Sequence, residues 1–479
     1  MRIVKNNPTF IRLEDIKDDE LNTLKSILAY KNLNTQYLYT QAKRNKYNYA
    51  RDPEGWHAHV LKLKSEINQT ALFQDEKGYY TYAGLITKLT KFRLVDNFEN
   101  LVVPPTPLLI PWDLSYNPLK LYPYQQEAVD ESLQHQQAAI ELPTGSGKTF
   151  VAQSIVKQLG LRTLIITPFT AIAHSFYDEF VKAFGKRNVG LYGDGKKQYK
   201  QKFVIAIAAS LVKVQKDTED WNQLSNRDVV ITDESHMIGA PTLAAVLLNL
   251  CRDIPYRYSV SATQMRGNGT DLLLEGLIGD IVYRKEFQEL ANEGYLSPLK
   301  FRIFNVWSNS NYIGTNPLKT KQLHYSYNTN ILQLAAEIAN MRVKMGESVL
   351  VMIDELQQME KIKNYLNVPY EIASAETDVS QQVIDFNEKR IKLLFGTSAV
   401  ATGANFKPVE TLILLIGGKS EIKYKQAIGR ATRLYPGKKF CQIIDFNVQG
   451  VNQLERHFQE RLSIYQALSN DIQFIDGDE

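Results

Sequence analysis

Short apolar runs rich in β-branched residues alternate with longer amphipathic stretches from about residue 120 onwards. The first runs are Leu164–Thr167, Val204–Ile207, Val229–Thr232 and Tyr258–Ser261. A second series comprises Val349–Ile353, Leu393–Gly396, Leu412–Leu415 and Gln442–Asp445. Strands that are apolar on both faces belong to parallel sheets covered by helices, and their alternation with helical segments is typical of doubly wound α/β folds. The pattern therefore predicts two successive α/β lobes, over residues 120–300 and 301–479.

Prolines mark the border in front of these lobes. Residues 101–119 contain five prolines, and proline cannot continue a helix or a central strand. We therefore predict a linker over residues 101–119 and a small α+β domain over residues 1–100, in which a strand at Gly78–Tyr82 leads into a helix. Residues 305–330 are polar and lack a clear period, which predicts an interlobe or inserted loop.

The overall charge does not identify a partner. Lys and Arg number 56 and Asp and Glu number 52, a net charge of +4 at pH 7, so any basic surface must be local. The two cysteines are too few for a disulfide framework and indicate a reducing compartment. No apolar stretch reaches the roughly 18 residues of a membrane helix, and the first residues lack the apolar core of a signal peptide. We expect a cytoplasmic protein with no membrane partner.

A glycine-rich segment at residues 141–149 precedes a predicted helix. Such a turn at a helix N-terminus directs backbone N–H groups at phosphates, a following lysine reaches the β and γ oxygens, and a hydroxyl can ligate Mg²⁺. The candidate nucleotide contacts are Thr144, Gly145, Ser146, Gly147, Lys148 and Thr149. Leu142 stands where the strict pattern has its first glycine, so a chance loop is the alternative.

Two adjacent carboxylates, Asp233 and Glu234, end an apolar strand. Acids at a strand end suit a divided task, in which Asp233 holds Mg²⁺ through its water shell and Glu234 orients the attacking water. A surface Asp-Glu turn is the alternative, and the position of the pair after the glycine-rich segment argues against it.

Two arginines, Arg430 and Arg433, are three residues apart in the second lobe, which predicts that they share a helix face. Paired guanidinium groups suit a γ-phosphate and can contribute on the order of 10³ to 10⁵ in rate. Without the glycine-rich segment, a basic helix surface would be the commoner explanation.

Taken in order over residues 121–446, these motifs resemble those of superfamily 2 helicases of the DEAD/H type. The resemblance implies two RecA-like lobes, ATP and Mg²⁺ as cofactors, and a Q-type motif in which Gln125 reads the adenine edge. It implies that Ser261 and Thr263 couple the nucleotide state to the nucleic-acid face. It also adds Gln426, in the arginine motif, and a motif over Thr397–Asn405 with Gly403 at the nucleotide. Asn405 stands where the family commonly has an Asp at the ribose, and an amide can still bind a hydroxyl.

Family positions that contact the nucleic-acid strand also have counterparts, at Thr167, Pro168, Ser210 and Thr397. Small hydroxyl residues and backbone N–H groups at strand ends hold phosphates without reading bases. This implies binding that does not depend on nucleotide sequence. Ordinary capping of strand ends is the alternative for Thr167 and Ser210.

Length and the small N-terminal domain are most similar to the phage UvsW-type branch-remodelling DNA helicases. This resemblance implies a monomeric ATP-dependent DNA helicase or translocase with 3′ to 5′ polarity, acting on forks, Holliday junctions and R-loops in replication, recombination or repair. In a phage-encoded protein the place of action is the host cytoplasm. Residues 30–51 interleave five tyrosines with five Lys or Arg, which fits DNA recognition by stacking and phosphate contacts or a helix with a tyrosine-bearing core face.

Two other functions compete with this prediction. The same motifs occur in the motor subunits of restriction enzymes, which recruit a separate nuclease. A nucleotide-gated binding protein that remodels nothing would need the phosphate loop but not all five of Lys148, Asp233, Glu234, Arg430 and Arg433.

Overall fold

The computed structural model describes residues 1–44, 46–107, 120–235, 240–262, 271–314, 316–374, 379–397, 406–418 and 421–476. The chain divides into two compact units. The first unit holds residues 1–142 and 148–284, and the second holds residues 143–147 and 285–479. Among the described residues, no helix is both long and apolar enough to cross a membrane.

The first unit begins with a small α+β domain. Its strands are β1 (Arg2–Lys5), β2 (Phe10–Glu14), β3 (Ala29–Lys31), β4 (Asn68–Thr70), β5 (Phe73–Asp75), β6 (Gly78–Tyr82) and β7 (Asn97–Asn100). Its helices are α1 (Asp18–Ile27), α2 (Leu33–Arg44), α3 (Lys46–Arg51), α4 (Pro53–Ser65) and α5 (Ile86–Lys91). The sheet runs in the order β5-β6-β2-β1-β7. The strand predicted at Gly78–Tyr82 and the helix after it are confirmed.

Residues 29–70 form a helical insertion in this domain. Its ends pair as the antiparallel strands β3 and β4, and α2 and α3 pack on α4 between them. Trp56 lies in the middle of the packing, where its indole N–H donates to the carbonyl of Ala42 (2.9 Å) and its ring contacts Tyr49 edge-on. Tyr37 and Leu61 are each 63% exposed. Some aromatic residues of the insertion, such as Trp56, therefore pack between its helices, whereas others, such as Tyr37, are exposed to solvent.

The remainder of the first unit is the first doubly wound lobe. Its strands are β8 (Gln137–Glu141), β9 (Thr163–Thr167), β10 (Val189–Gly193), β11 (Lys196–Lys197), β12 (Phe203–Ile207), β13 (Val229–Asp233), β14 (Tyr256–Ser261) and β15 (Ile281–Arg284). Its helices are α6 (Pro123–Leu133), α7 (Lys148–Leu159), α8 (Thr170–Phe184), α9 (Ala208–Leu211), α10 (Glu219–Ser225), α11 (Ala240–Ala245) and α12 (Asp271–Ile278). The order is β11-β10-β12-β9-β13-β14-β8-β15.

The N-terminal domain packs on this lobe where its strands begin. Arg257, which is 1% exposed at the start of β14, donates to the hydroxyl of Thr9, and that hydroxyl donates to the carbonyl of Arg252 (2.6 Å). Gly84 lies so close to α12 that a Cβ there would be 2.2 Å from the carbonyl oxygen of Glu275. Buried residues of the domain and of the lobe belong to one continuous hydrophobic core. The domain is thus fixed to the amino edge of the lobe's sheet.

The second unit contains the second doubly wound lobe. Its strands are β16 (Leu299–Trp307), β17 (Val349–Ile353), β18 (Glu371–Ala373), β19 (Leu393–Thr397), β20 (Thr411–Leu415), β21 (Cys441–Gln449) and β22 (Ile472–Asp476). Its helices are α13 (Phe287–Asn292), α14 (Pro317–Lys321), α15 (Thr329–Lys344), α16 (Gln357–Ile362), α17 (Val379–Asn387), α18 (Glu421–Ala431) and α19 (Asn452–Leu468). The strands are parallel in the order β18-β19-β17-β20-β21-β16-β22.

Two doubly wound sheets and a small N-terminal α+β domain confirm the predicted fold class. The loop predicted at residues 305–330 is wrong in part, because β16 continues to Trp307 and α14 is followed by a π-helical turn at Gln322–Ser326. His324 lies in that turn, 5% exposed, and its ring nitrogens contact the hydroxyl of Ser308 (2.6 Å) and the carbonyl oxygen of Tyr312 (2.9 Å). These contacts order a polar segment that has no helical period of its own.

Candidate nucleotide and nucleic-acid site

The carboxyl ends of β8, β9, β13 and β14 carry the candidate residues of the first unit. Parallel strands end at one edge of a sheet, and in open α/β sheets ligands bind beyond that edge. Asp233 ends β13, Thr167 ends β9 and Ser261 ends β14. The glycine-rich segment follows β8 and leads into α7, whose first residue is Lys148.

Lys148 and Glu234 form an ion pair at this edge. The Lys148 ammonium lies 3.1 Å from Glu234 Oε1 and also donates to the carbonyl of Leu142 at 3.5 Å. The two side chains are 10% and 13% exposed. Leu142 itself is fully buried and its backbone N–H donates to the carbonyl of Ser261 (3.0 Å). An apolar side chain therefore suits the position where the strict phosphate-loop pattern has a glycine.

Glu234 adopts an unusual backbone conformation, with φ at +44°. A non-glycine residue in this region costs on the order of 1 kcal/mol or more, and such strain clusters at functional sites. The carboxylate is fixed by two donors, the hydroxyl of Ser261 (3.2 Å) and the backbone N–H of Ala262 (3.4 Å). Glu234 is thus aimed by strand β14 as well as by Lys148, and the predicted coupling residue Ser261 contacts it directly.

Asp233 is 4% exposed, and burial together with the neighbouring Glu234 raises the pKa of its carboxyl well above 3.8. A buried carboxylate beside a second acid favours a cation that would neutralise both. Oxygen ligands are those that Mg²⁺ prefers, and the hydroxyl of Thr149, in the first turn of α7, supplies another. The residues present fit a magnesium ion.

Gln125 is buried in the first turn of α6. Its side-chain oxygen accepts from the backbone N–H of Tyr122 (2.9 Å), and its amide nitrogen donates to the hydroxyl of Tyr124 (3.4 Å). The Tyr122 ring is 47% exposed and stacks on Tyr124 with centroids 6.0 Å apart. Gln125 therefore fixes the helix start that presents an exposed aromatic face.

Residues 143–147 belong to the second compact unit. The Thr432 hydroxyl donates to the carbonyl of Thr144 (3.1 Å). Gly429 allows this approach, because a Cβ there would lie 2.4 Å from Thr144 Cγ2. Gly145 has φ of +92°, and a Cβ on it would meet Thr432 Oγ1 at 2.4 Å. Ser146, at the centre of the loop, is 1% exposed.

The prediction that Arg430 and Arg433 share one helix face is wrong, because α18 ends at Ala431. The Lys438 ammonium lies at this helix end, where it donates to the carbonyls of Ala431 (2.5 Å) and Arg433 (3.0 Å). Cations at a helix C-terminus are stabilised by its dipole. Arg430 lies in the last turn and Arg433 beyond it.

Arg433 is half-buried, and desolvation of its guanidinium lowers its pKa to about 10. Within the described part of the chain, its Nη1 has no hydrogen-bond partner. A guanidinium with a buried, spare donor atom is suited to an anionic ligand. Gln426 is half-buried in α18, the helix that carries Arg430.

Sequence reasoning missed a buried ionic cluster behind α18. Asp445 accepts hydrogen bonds from Arg461 (2.8 Å), Tyr465 (2.7 Å) and Tyr325 (2.9 Å). Arg461 also donates to the carbonyl of Gly418 (3.1 Å), just before α18, and lies over the ring of Tyr424 within α18. The residues lie on four separate elements with no common motif, so no local sequence signal identifies them.

The candidate nucleic-acid contacts differ in accessibility. Thr167 is fully buried and its hydroxyl donates to the carbonyl of Ala206 (3.3 Å). Pro168 is buried beside it, whereas Phe169, for which the sequence suggested no individual role, is 42% exposed. Ser210 is half-buried in α9, and Thr397 is half-buried at the end of β19. Thr263, Gly403 and Asn405 lie outside the described residues.

Two protein-family models match the chain. Residues 118–266 match the type III restriction enzyme, res subunit, and residues 330–435 match the helicase conserved C-terminal domain. The first match covers part of the first lobe and the second covers part of the second lobe. Together they include the glycine-rich segment, the Asp233–Glu234 pair and both arginines.

Relatives and solved structures agree with these models. The chain is similar to the ATP-dependent DNA helicase uvsW of Enterobacteria phage T4, with 23% identity over 67% of each chain. It is also similar to the DNA 3'-5' translocase XPB2 of Sulfurisphaera tokodaii, with 23% identity over 68% of this chain and 81% of the relative. The DNA-bound type ISP restriction-modification enzyme LlaBIII has a similar fold, with a TM-score of 0.56 and 12% identity over 75% of this chain and 31% of that chain.

The sheets correspond to two RecA-like lobes, and the motifs, the family models and the helicase relatives agree. The chain belongs to the superfamily 2 helicases and is an ATP-dependent helicase.

Proposed function

We propose that this helicase translocates on DNA and remodels branched DNA such as forks, Holliday junctions and R-loops, in replication, recombination or repair. The observation that carries the proposal is the helical insertion at residues 29–70. It contains seven Lys or Arg and three Asp or Glu, a net charge of +4, which equals that of the whole chain. The averaged charge therefore conceals a local basic surface, and phosphate binding depends on local charge.

The insertion combines this charge with exposed aromatic and apolar side chains. Tyr37 is 63% exposed and Tyr49 is 47% exposed, and the Lys43 ammonium lies 5.4 Å from the ring centroid of Tyr39. Stacking of a base on an aromatic ring is worth about 1–3 kcal/mol. The domain that carries the insertion is joined to the first lobe by a continuous core. A DNA arm held there would move with that lobe, which supports residues 1–100 as a DNA-recognition domain.

The nucleotide chemistry is assigned to residues of both units. Lys148 binds the β and γ phosphates, and Glu234, fixed by Ser261 and strained at φ +44°, orients the attacking water. Magnesium, held by Asp233 and Thr149, would supply charge neutralisation at the phosphates. Backbone N–H groups of residues 144–147 bind the phosphates. Gln125 reads the adenine edge and Tyr122 stacks on the adenine ring. Gly403 and Asn405 supply the remaining contacts to the nucleotide.

Arg430 and Arg433 stabilise the charge that develops on the γ-phosphate. Arg433 is suited to this role because its buried Nη1 is a donor without a partner among the described residues. Gln426 lies on the same helix as Arg430 and supports the water or the phosphate. Hydrolysis of ATP releases the nucleic-acid strand, whose candidate contacts are Thr167, Pro168, Ser210, Ser261, Thr263 and Thr397. The relative named as a 3'-5' translocase supports 3′ to 5′ polarity.

The test compares ATPase stimulation by single-stranded DNA, duplex DNA, forked DNA, four-way junctions and RNA. We expect forks and junctions to stimulate most, and strand displacement to accompany hydrolysis in a monomer. Stronger stimulation by RNA than by any DNA would contradict the proposal. Binding without strand displacement or translocation would instead identify a nucleotide-gated binding protein. For a phage-encoded chain the place of action is the host cytoplasm.

A motor subunit of a restriction system is the second candidate, favoured by the match of residues 118–266 to a restriction-enzyme res subunit. Such a subunit acts with separate nuclease or methyltransferase chains. Copurification of such a chain would support this candidate, and remodelling of four-way junctions by the isolated chain would argue against it.

A further inference from the structure

A groove follows the seam between the N-terminal domain and the first lobe. One cleft of about 430 Å³ lies between β2, the β5–β6 turn and the residues before β14, and a second of about 460 Å³ continues along α10. Leu248 and Arg252 line both clefts, so the two form one continuous depression. Both its walls belong to the first compact unit.

Three exposed cations line this groove: Lys77, Lys216 and Arg252. None of them forms an ion pair with another described residue, unlike Arg12, which is bound by Asp75 at the same site. Asp253, the other acid in the groove, accepts from the amide of Asn7 (2.9 Å). The groove thus holds four cations, Arg12, Lys77, Lys216 and Arg252, against two acids, Asp75 and Asp253, which leaves it with a net positive charge. The surface therefore complements a polyanion.

The groove is suited to a backbone and not to unstacked bases. The Arg252 guanidinium lies 5.7 Å from the ring centroid of Phe10, and that of Arg12 lies 4.9 Å from the ring centroid of Tyr80. These rings are covered by cations and packed in an aromatic cluster, so their faces are not available for bases. The amides of Asn6, Asn226 and Asn249 also line it. Cations and amides hold phosphates without reading sequence.

The groove lies at the opposite edge of the sheet from the nucleotide site. Ser225 and Asn226 precede β13, and Arg252 and Asp253 precede β14, whereas Asp233 and Ser261 end those strands. Five residues of strand span about 17 Å. A strand at the carboxyl edge and a ligand in the groove would not compete for space.

We propose that this groove binds the phosphate backbone of a duplex DNA arm while the translocated strand occupies the carboxyl edges of the lobes. The inference rests on the proposed DNA helicase function and adds a second DNA site to it. Because the groove walls belong to one compact unit, the arm is held by the first lobe throughout the ATPase cycle.

The experiment uses the full chain with Lys77→Ala, Lys216→Ala and Arg252→Ala combined. We expect affinity for a blunt duplex to fall at least about tenfold and the slope of log affinity against log salt to decrease by about 3, roughly 0.9 for each cation removed. Affinity for a single strand and ATPase stimulation by it should remain at the wild-type value. Lys216→Glu alone should also lower the affinity for duplex DNA. Because Lys216 is exposed, this substitution should not disturb folding, so a loss of affinity would not be explained by misfolding.

The matched control removes Lys182, Lys186 and Arg187, which are also two exposed lysines and one exposed arginine of the first unit, and should leave the duplex slope unchanged. Equal losses for duplex and single strand, or no loss for either, would overturn the groove proposal. Wild-type protein without DNA-stimulated ATPase activity would contradict the proposed helicase function. If the groove variant still lost affinity for duplex DNA in that case, the groove would remain supported as a duplex-binding site.

Discussion

Each compact unit contains an ion pair near its functional residues, and the two pairs differ in almost every physical respect. Lys148 and Glu234 in the first unit are 10% and 13% exposed, and Glu234 is held in a strained conformation. Arg461 and Asp445 in the second unit are 2% and 0% exposed, and Asp445 accepts from two tyrosines as well. A buried pair is stable only when further hydrogen bonds replace water. The first pair is therefore arranged to exchange partners when phosphate arrives, and the second to remain fixed.

The largest difference should follow from removing the cation of each pair. We expect Lys148→Ala to reduce ATP hydrolysis by at least about 10³-fold, because the charge on the β and γ phosphates loses its lysine, while DNA binding is largely retained. Steady-state ATPase assays and DNA titration measure both. Lys157→Ala, on the same helix, is the control, and persistent DNA-stimulated turnover in the Lys148 variant would disprove the assignment.

Arg461→Met should act on stability instead. It leaves Asp445 buried without its cation, so we expect the free energy of unfolding to fall by about 3–5 kcal/mol. Chemical denaturation followed by circular dichroism measures this change. Arg456→Met, at an exposed position of α19, should be nearly neutral. Equal stability of the two variants would show that the buried pair is not the fixed element described above.

Asp233 provides a pH-dependent test of the site in the first unit. Its pKa is raised by burial and by Glu234, so folding favours the protonated form. Its contribution to stability is greatest below pH 3.8, the ordinary pKa, and is lost as pH rises through the raised value. In the absence of nucleotide and metal, Asp233→Asn should therefore stabilise the protein at neutral pH by about 1–3 kcal/mol, although hydrolysis is lost.

Unfolding free energies of the wild type and of Asp233→Asn, compared across pH without Mg²⁺, measure this effect. The advantage of the variant should grow with pH above 3.8. Adding Mg²⁺ should reduce it, because the metal stabilises the ionised carboxylate. Parallel pH profiles for the two proteins would mean that Asp233 is not destabilised by its surroundings.

The smallest expected effects distinguish two tyrosines of the buried cluster around Asp445, one on α18 and one on α19. Tyr424→Phe removes the hydrogen bond from α18 to the carbonyl of Ile416, whereas Tyr465→Phe removes one from α19 to Asp445. Each should cost about 1 kcal/mol of stability. Only Tyr424→Phe should also lower kcat, by up to about fivefold, because α18 carries Arg430. Equal kcat values for the two variants would contradict a positioning role for Tyr424.

The sequence was sufficient for the lobes and for the residues at their strand ends. Fully buried parallel strands are mostly apolar runs, so β9, β12 and β13 could be located without tertiary information. The glycine-rich segment, Asp233–Glu234 and the two arginines were found because their chemistry depends on local spacing. Their order along the chain places the glycine-rich segment and the Asp233–Glu234 pair in the first lobe and the two arginines in the second.

Tertiary contacts decided the features that local patterns do not encode. Helix α18 ends at Ala431, where the Lys438 ammonium donates to the carbonyl of Ala431 and to that of Arg433 beyond the helix. The N-terminal domain is fixed to the first lobe because Arg257, far along the chain, donates to Thr9. The pair of Arg461 and Asp445, and the groove around Arg252, unite residues that no motif connects. The sequence by itself determined the fold class and the ATPase chemistry, since these depend on periodicity and short motifs. Only the tertiary structure decided which charges are buried, neutralised or left accessible, because that depends on packing between distant segments.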